Sequence, residues 1–172
     1  LIANRYRLIE PLGKGGMAEV FIAEQSGPRG FVRQVVLKRL HAHLSEDPSF
    51  VRSFEDEARL AALLQHPNIV RTEDFSEHEG QLFMVLEHVH GDQLAQLAKV
   101  AHAQDKALPV QLVLQIGVDI ADALDHAHQL RDAQGHALHV VHRDVSPQNM
   151  MVTQAGQGKL LDFGIARAST NQ

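Results

Sequence analysis

Residues 142–149, "HRDVSPQN", place a carboxylate at Asp144 and an amide at Asn149, with a proline between them. The stretch has no apolar periodicity, so neither a buried helix nor a buried strand accounts for its composition. A second carboxylate, Asp162, follows in the triplet "DFG". Carboxylate and amide oxygens suit Mg²⁺, which takes the rest of its shell from water and phosphate oxygens. These three residues predict a site where one group orients a nucleophile and the others bind a metal ion.

The composition is typical of a folded globular chain. Of the 172 residues, 44% are hydrophobic and 22% are charged, so one domain, or part of one, is expected. The net charge of -5 disfavours nucleic acid as a partner. The absence of cysteine excludes disulfides and agrees with a reducing cytoplasm. The sequence has neither an apolar run of the roughly 20 residues that a membrane helix needs nor a signal-peptide pattern, so we expect a soluble chain.

The first half of the chain predicts a sheet with one helix. Alternating apolar and polar residues on both sides of a glycine cluster in 5–24 predict two strands, and 30–40 predict a third. Apolar residues recur at helical spacing over 48–64. Residues 68–89 predict two more strands across a Glu-Gly turn.

After Gly91 the pattern becomes mainly helical. A short helix is expected over 92–103, and a long apolar helix opens at Pro109. The polar stretch "RDAQGHAL" predicts a loop, and the residues after it predict short strands between turns. We therefore expect a domain boundary near Gly91.

A glycine turn, Gly13-Lys14-Gly15-Gly16, lies between the first two predicted strands. Taken alone, it needs no function, because a hairpin turn requires glycine for backbone reasons. Lys38 lies on the third predicted strand, where an ammonium could meet phosphates covered by the backbone amides of the turn. Glu57 falls near the apolar edge of the predicted helix, so it is a plausible partner for Lys38.

The 12 histidines include two closely spaced pairs, His41 with His43 and His126 with His128. Neither pair has the spacing and carboxylate of a recognised zinc pattern. We therefore expect packing or surface roles for them and assign no transition metal.

The ordered set formed by the glycine turn, "VVLK", "FEDEARLAALLQHPNIV", "HRDVSPQN" and "DFG" resembles the eukaryotic-like serine/threonine protein kinases of bacteria. The resemblance implies an α+β, protein-kinase-like fold of two lobes with a cleft between them. Residues 1–91 would form a five-stranded antiparallel small lobe with one helix, which binds ATP. Residues 92–172 would form a mainly helical large lobe, truncated where the activation segment begins.

The resemblance also implies an activity and its cofactors. The activity would be transfer of the γ-phosphate of ATP to serine or threonine hydroxyls of a protein, with Mg²⁺, or alternatively Mn²⁺, as the metal. A kinase dimer is a further arrangement that the family allows. The expected location is the cytoplasm, with any membrane anchor lying outside this sequence.

The same resemblance assigns roles to individual residues. Lys38 would contact the α- and β-phosphates and pair with Glu57, and Asp144 would accept or orient the substrate hydroxyl. Asn149 and Asp162 would bind the metal, with Asn149 counted among the catalytic residues. His142 and Phe163 would stack as structural residues. The residues expected around the nucleotide are Leu12, Gly13, Lys14, Gly15, Gly16, Val20, Val36, Lys38, Leu86, Glu87, Val89, Asp92 and Met151.

Three single residues depart from the family pattern. Ala18 replaces the third glycine of the turn, Val36 replaces the usual alanine over adenine, and Ser146 stands where serine/threonine kinases usually carry lysine. Loss of that lysine keeps open a second reading, a nucleotide-binding pseudokinase or scaffold. A third reading is a small-molecule kinase such as the antibiotic phosphotransferases, which usually carry glycine at the position of Arg143.

Overall fold

The computed structural model describes residues 1–163. Gly164 of the "DFG" triplet and the stretch "ASTNQ" after Arg167, where the activation segment is predicted to begin, lie outside the described residues. The described chain forms two compact units. The first contains residues 1–62 and 71–88, and the second contains residues 63–70 and those from 89 onward.

The first unit is a five-stranded antiparallel sheet with one α-helix, which confirms the fold predicted for this half. The sheet order is β1-β2-β3-β5-β4, and the strands are β1 (Tyr6–Lys14), β2 (Ala18–Ser26), β3 (Val32–Leu40), β4 (Thr72–His78) and β5 (Gln81–Glu87). The helix is α1 (Pro48–Leu63), and short 3-10 turns occupy Pro28–Gly30 and Ala42–Leu44.

Each face of this sheet carries its own apolar cluster, because side chains alternate along a strand. One face buries Tyr6, Leu37 and Phe83 together with Ile2, which precedes β1. The other face packs against α1 and buries a set that includes Leu40, Phe54 and Met84. Alternate residues of β5, such as Phe83 and Met84, therefore belong to different clusters. The helix accordingly lies on one face only.

The second unit combines two helices with a small sheet. The helices are α2 (Leu94–Ala103) and α3 (Val110–His128), with Pro109 as the residue that caps the start of α3. The strands β6 (Gly91–Gln93), β7 (Met150–Thr153) and β8 (Gly158–Leu160) pair in the order β6-β7-β8. A 3-10 turn, Pro147–Asn149, precedes β7.

Strand β6 corrects the prediction that a helix begins at Asp92. Gly91 pairs with Thr153, and Asp92 pairs with Val152, so residues 91–93 are extended and the helix begins at Leu94. The approach at Gly91 is very close, because a Cβ built there would lie 2.0 Å from the carbonyl oxygen of Val152. Only glycine fits this position without moving the strand.

Residues 63–70 belong with the second unit because their backbone bonds to β8. The N–H of Leu160 donates to the carbonyl of Asn68 at 2.8 Å, and the N–H of Val70 donates to the carbonyl of Leu160 at 2.9 Å. Helix α3 contacts the same strand through the buried Asp119, whose carboxylate accepts the N–H of Gly158 at 2.6 Å. A domain boundary at Gly91 alone therefore does not include residues 63–70, which belong to the second unit.

The polar stretch "RDAQGHAL" forms a compact turn. Asp132 Oδ1 accepts the backbone N–H groups of Gln134 and His136 at 2.9 and 2.8 Å. The hydrogen bond from the His136 backbone is the main cause that lowers the pKa of Asp132.

Among residues 1–163, no helix is both long and apolar enough to cross a membrane.

Candidate active site

Lys38 lies in the middle of the first sheet, on the face that packs against α1. Its direct partners are Val20 on β2 and Met84 on β5. Directly opposite residues of an antiparallel pair share one face of the sheet. Met84 belongs to the apolar cluster formed with α1, so the side chain of Lys38 is on the helix face.

The predicted pairing of Lys38 with Glu57 is present. Lys38 Nζ donates to Glu57 Oε1 at 2.6 Å, and the two side chains are 12% and 8% exposed. Glu57 reaches this position because its neighbours Phe54 and Ala58 on α1 are buried against the sheet. A charge-assisted bond this well shielded from water holds the ammonium in one place.

The residues predicted to contact adenine lie on the same face of the sheet. Val36 is two positions from Lys38 on β3, and its direct partners are Ile22 and Leu86. Val20, Val36 and Leu86 therefore share the face that carries Lys38. Glu87, at the end of β5, accepts the backbone N–H of Arg71 at 3.0 Å through its side chain.

The predicted phosphate-binding turn is exposed and held by ion pairs at its base. Gly13, Gly15, Gly16 and the preceding Leu12 are exposed. Lys14 Nζ lies 3.3 Å from a carboxylate oxygen of Glu19, which also meets Arg39 at 3.3 Å. The hydrogen bond from Lys14 is the main cause that lowers the pKa of Glu19. Lys14 is therefore engaged within the turn.

Ala18, where the family pattern has a third glycine, is buried. It packs in the apolar cluster that contains Leu40 and Phe54. The extra methyl group of alanine thus fills part of the core, and the turn proper still has Gly13, Gly15 and Gly16. This departure from the pattern has a packing explanation.

The second unit carries the loop that contains Asp144 and Asn149. His142 is buried at its start, where Nε2 donates to the carbonyl of Leu161 at 2.8 Å and Nδ1 accepts the N–H of Asp144 at 3.3 Å. The rings of His142 and Phe163, which were predicted to stack, lie 4.7 Å apart, centre to centre, and are tilted by 56°. His142 therefore ties the loop to the residues on both sides of Asp162.

Asn149 and Asp144 are joined directly. The Asn149 amide nitrogen donates to the backbone oxygen of Asp144 at 2.9 Å and to its carboxylate at 3.0 Å. The carbonyl of Asn149 accepts the N–H of Leu161 at 2.9 Å. Because the amide nitrogen faces Asp144, the amide oxygen of Asn149 points away from that carboxylate. This orientation presents an oxygen ligand rather than an N–H group.

Two residues of this region have a left-handed backbone conformation. Arg143 has φ 66° and Asp162 has φ 35°. Such conformations are unfavourable for residues with a side chain, and they cluster at functional sites where surrounding bonds hold them. The bonds of His142 to Leu161 and Asp144 lie next to both positions.

Ser146 contributes its backbone to this loop. Its carbonyl accepts the N–H of Asn149 at 2.9 Å, and its side chain makes no capping bond to the 3-10 turn that follows. Any residue at this position could hold Asn149 in the same way, so the architecture of the loop does not require a lysine there.

The remaining predicted nucleotide contacts lie on or before the small sheet of the second unit. Val89 is half-buried and precedes β6. Asp92 is exposed on β6, and Met151 on β7 pairs with Gln93 and Lys159. Their roles toward a nucleotide remain predictions.

Two buried residues that bond to the glycine turn or to β8 were not identified from the sequence. Asp119 is a buried carboxylate on the apolar stripe of α3, and a charge on such a stripe was a usable signal. His41 was expected only to pack or to lie on the surface. Its side chain contacts the carbonyl of Gly15 in the glycine turn at 2.9 Å.

Comparison with known proteins identifies relatives along nearly the whole chain. A profile of the family described as protein kinase domain matches residues 6–172. The tyrosine-protein kinase MasK of Myxococcus xanthus is 43% identical over 165 residues, which cover 96% of this chain and 26% of that protein. The serine/threonine-protein kinase PknB of Mycobacterium leprae is 40% identical over 171 residues, which cover 97% of this chain and 25% of that protein.

A solved structure shares the fold. The kinase domain of Mycobacterium tuberculosis PknI superposes with a TM-score of 0.69 at 35% identity, and the match covers 96% of this chain and 61% of that one. The chain thus spans about a quarter of the length of the curated relatives it matches.

Proposed function

The chain belongs to the protein kinase domain family, and on that premise we propose that it transfers the γ-phosphate of ATP to serine or threonine hydroxyls of a protein. The observation that carries the proposal is the bond between Asn149 and Asp144 at 3.0 Å, in a loop that His142 ties to Leu161, the residue before Asp162. Hydrogen bonds thereby join Asp144 to Asn149 and hold the residue next to Asp162 within the same unit.

The donor set fits a hard divalent cation. Among residues 1–163, no group of three or more His, Asp or Glu side chains is placed to hold a metal ion. The amide nitrogen of Asn149 donates to Asp144, so Asn149 would offer its amide oxygen and Asp162 its carboxylate, a pair that suits Mg²⁺, or Mn²⁺, in company with phosphate oxygens and water. When bound, the metal neutralises charge on the phosphates.

Asp144 would orient the acceptor hydroxyl and accept its proton. Its carboxylate is held by the Asn149 amide at 3.0 Å, and its backbone N–H is held by His142. The first contact holds the carboxylate and the second holds the backbone of the same residue, so both limit the movement of Asp144. Positioning of this kind supplies a large part of catalysis in phosphoryl transfer.

In the first unit, Lys38 would meet the α- and β-phosphates. Glu57 sets the position of its ammonium through the 2.6 Å bond. Val20, Val36 and Leu86 give the same sheet face an apolar surface suited to adenine. We extend the proposal to the other predicted contacts, Leu12, the glycine turn, Glu87, Val89, Asp92 and Met151.

The choice between serine/threonine and tyrosine acceptors is part of the proposal. One relative is named a tyrosine-protein kinase and another a serine/threonine-protein kinase. Ser146 does not decide between the two acceptor classes, because tyrosine kinases also lack a lysine at this position. We favour serine and threonine because the ordered motifs resemble the serine/threonine kinases of bacteria, and the relative from Mycobacterium leprae is named a serine/threonine-protein kinase.

A pseudokinase is the second candidate, and Ser146 is the observation that favours it. Retention of Lys38, Glu57, Asp144, Asn149 and Asp162 opposes it. Replacing Ser146 by lysine separates the two. If the parent is active and the variant differs by less than about thirtyfold, which corresponds to about 2 kcal/mol, the metal and Lys38 already suffice. An inactive parent that the lysine rescues would establish a disabled kinase.

The test of the proposed function is phosphotransfer by the full-length protein. Labelled ATP and Mg²⁺ are supplied with a generic protein substrate, and the phosphorylated amino acids are identified after hydrolysis. Label on serine or threonine that disappears in Asp144→Asn is the expected result. Label on tyrosine alone would show that tyrosine is the acceptor instead of serine or threonine. Label only on a small molecule would favour a small-molecule kinase similar to the antibiotic phosphotransferases. We place this activity in the cytoplasm, where ATP is available.

A further inference from the structure

The glycine turn is bonded to the residue that follows β3. The backbone N–H of His41 donates to the carbonyl of Met17 at 3.0 Å, and His41 Nε2 contacts the carbonyl of Gly15 at 2.9 Å. The turn is closed internally by the N–H of Gly15, which donates to the carbonyl of Ala18 at 2.9 Å. His41 therefore bonds to the segment of the glycine turn through both its backbone and its side chain.

The glycines themselves are not constrained by packing. A Cβ added at Gly13 or Gly16 would meet no atom within 4 Å, and one at Gly15 would meet only the carbonyl of Ala18 at an ordinary 3.5 Å. Glycine has more backbone freedom to lose than any other residue. A side chain that is itself 6% exposed, as His41 is, can therefore restrict a turn that would otherwise have several conformations.

The bond to Gly15 also fixes the direction of the next amide group. In a trans peptide the carbonyl of one residue and the N–H of the following residue point to opposite sides, and the described chain contains no cis peptide bond. Because Nε2 of His41 holds the Gly15 carbonyl, the N–H of Gly16 points away from His41. Without that bond, a peptide between two glycines can rotate at little steric cost.

We propose that His41 is a positioning residue that orients the Gly15–Gly16 peptide so that the Gly16 N–H faces a nucleotide phosphate. This proposal rests on the proposed function, because it requires that the turn binds the phosphates of ATP. His41 would not contact the nucleotide. Its effect would appear in the binding of ligands that carry phosphates and would be absent for adenosine, which has none.

His43 offers a matched control. Its ring stacks on that of His41 with centres 5.2 Å apart, but His43 is exposed, and the bond to Gly15 comes from His41 alone. The control variant His43→Gln removes an imidazole from the same surface and leaves the bond to Gly15 in place. Its nucleotide binding should match that of the parent.

The experiment measures the dissociation constants of ATP and adenosine for the full-length protein and its variants. His41→Leu removes the donor and should weaken ATP binding about three- to tenfold, the effect of one hydrogen bond, while adenosine binding changes less than twofold. His41→Gln, whose amide nitrogen can reach a similar position, should restore ATP binding. In phosphotransfer, KM for ATP should rise in His41→Leu, with kcat at saturating ATP nearly unchanged.

A purely structural role would give a different pattern. ATP and adenosine would then weaken together, and His41→Gln would not restore ATP selectively; either result overturns the proposal, as does parent-like ATP binding by His41→Leu. If His41→Leu does not fold, His41→Asn, which keeps polarity but is too short to reach Gly15, should show the same selective loss. A parent that binds no ATP would overturn the proposed function and this proposal together, whereas an ATP-binding parent confines any failure to His41.

Discussion

Replacing Gly91 by alanine should destabilise the second unit strongly. A Cβ at this position would lie 2.0 Å from the carbonyl oxygen of Val152 and 2.8 Å from Cα of Thr153. Both atoms belong to the backbone of β7, so no side chain can move aside. Strand β6 must shift by about 1 Å or more to relieve the contact, and the strand is paired to β7 at only three positions. Loss of two or three such backbone bonds costs about 2–4 kcal/mol.

The matched control is Gly117→Ala on α3. A Cβ at Gly117 would meet no atom within 4 Å, and glycine inside a helix is less favourable than alanine by about 0.5–1 kcal/mol. The same chemical change should therefore stabilise the protein at Gly117 and destabilise it at Gly91. Changes of opposite sign in the free energy of unfolding are expected only if Gly91 lies close to the backbone of β7 and Gly117 has open space beside it.

Urea unfolding followed by circular dichroism measures both effects in the full-length protein. Gly91→Ala should lower the free energy of unfolding of the transition that includes the second unit. It should also reduce phosphotransfer, because β7 continues directly from Asn149. If the free energy of unfolding of Gly91→Ala lies within about 0.5 kcal/mol of the parent value, a margin typical of harmless substitutions, the pairing of β6 with β7 is wrong.

Two further predictions concern the first unit. Glu57→Gln keeps an acceptor for Lys38 but removes the charge from a pair joined at 2.6 Å, so kcat/KM for ATP should fall at least about tenfold; steady-state kinetics with near-parental values would exclude a role for the pair. Burial, followed by the hydrogen bond to Asp74, raises the pKa of Tyr6 to about 12. The contribution of Tyr6 to the free energy of unfolding should therefore be complete below pH 10 and be lost as the pH rises from 10 to about 12. The difference in tyrosinate absorbance between the parent and Tyr6→Phe tests this, and ionisation near pH 10 in the folded protein would refute it.

The sheet of the first unit was predictable because its strands are long and alternate clearly. Each of β1, β2 and β3 has nine residues, which is enough for period-two alternation to emerge. The short strand β6 has three residues, and its partners lie far along the chain at residues 151–153. No local pattern can reveal such a pairing, so Asp92 was assigned to a helix.

The contacts of the candidate site were likewise predictable from the sequence only in part. For the Lys38–Glu57 pair, helical phase placed Glu57 beside buried positions of α1, and the resemblance to kinases implied the pairing. The bond from Asn149 to Asp144 depends on how the loop folds and which way an amide is turned. The contact of His41 with Gly15 likewise depends on the end of β3 meeting the glycine turn. Sequence identified the chemical groups, and only the structure gives their hydrogen bonds.

If Asp162 binds the metal used in phosphotransfer, as proposed, Asp162→Asn should remove the reaction and keep the fold. Asparagine tolerates the left-handed backbone that Asp162 adopts at φ 35°, so the fold should survive. Asp105→Asn is the control, since Asp105 is exposed and has a left-handed φ of 54°. Single-turnover transfer from labelled ATP with Mg²⁺ should be abolished in Asp162→Asn and unchanged in Asp105→Asn. Near-parental transfer by a folded Asp162→Asn variant would exclude Asp162 as a ligand of that metal.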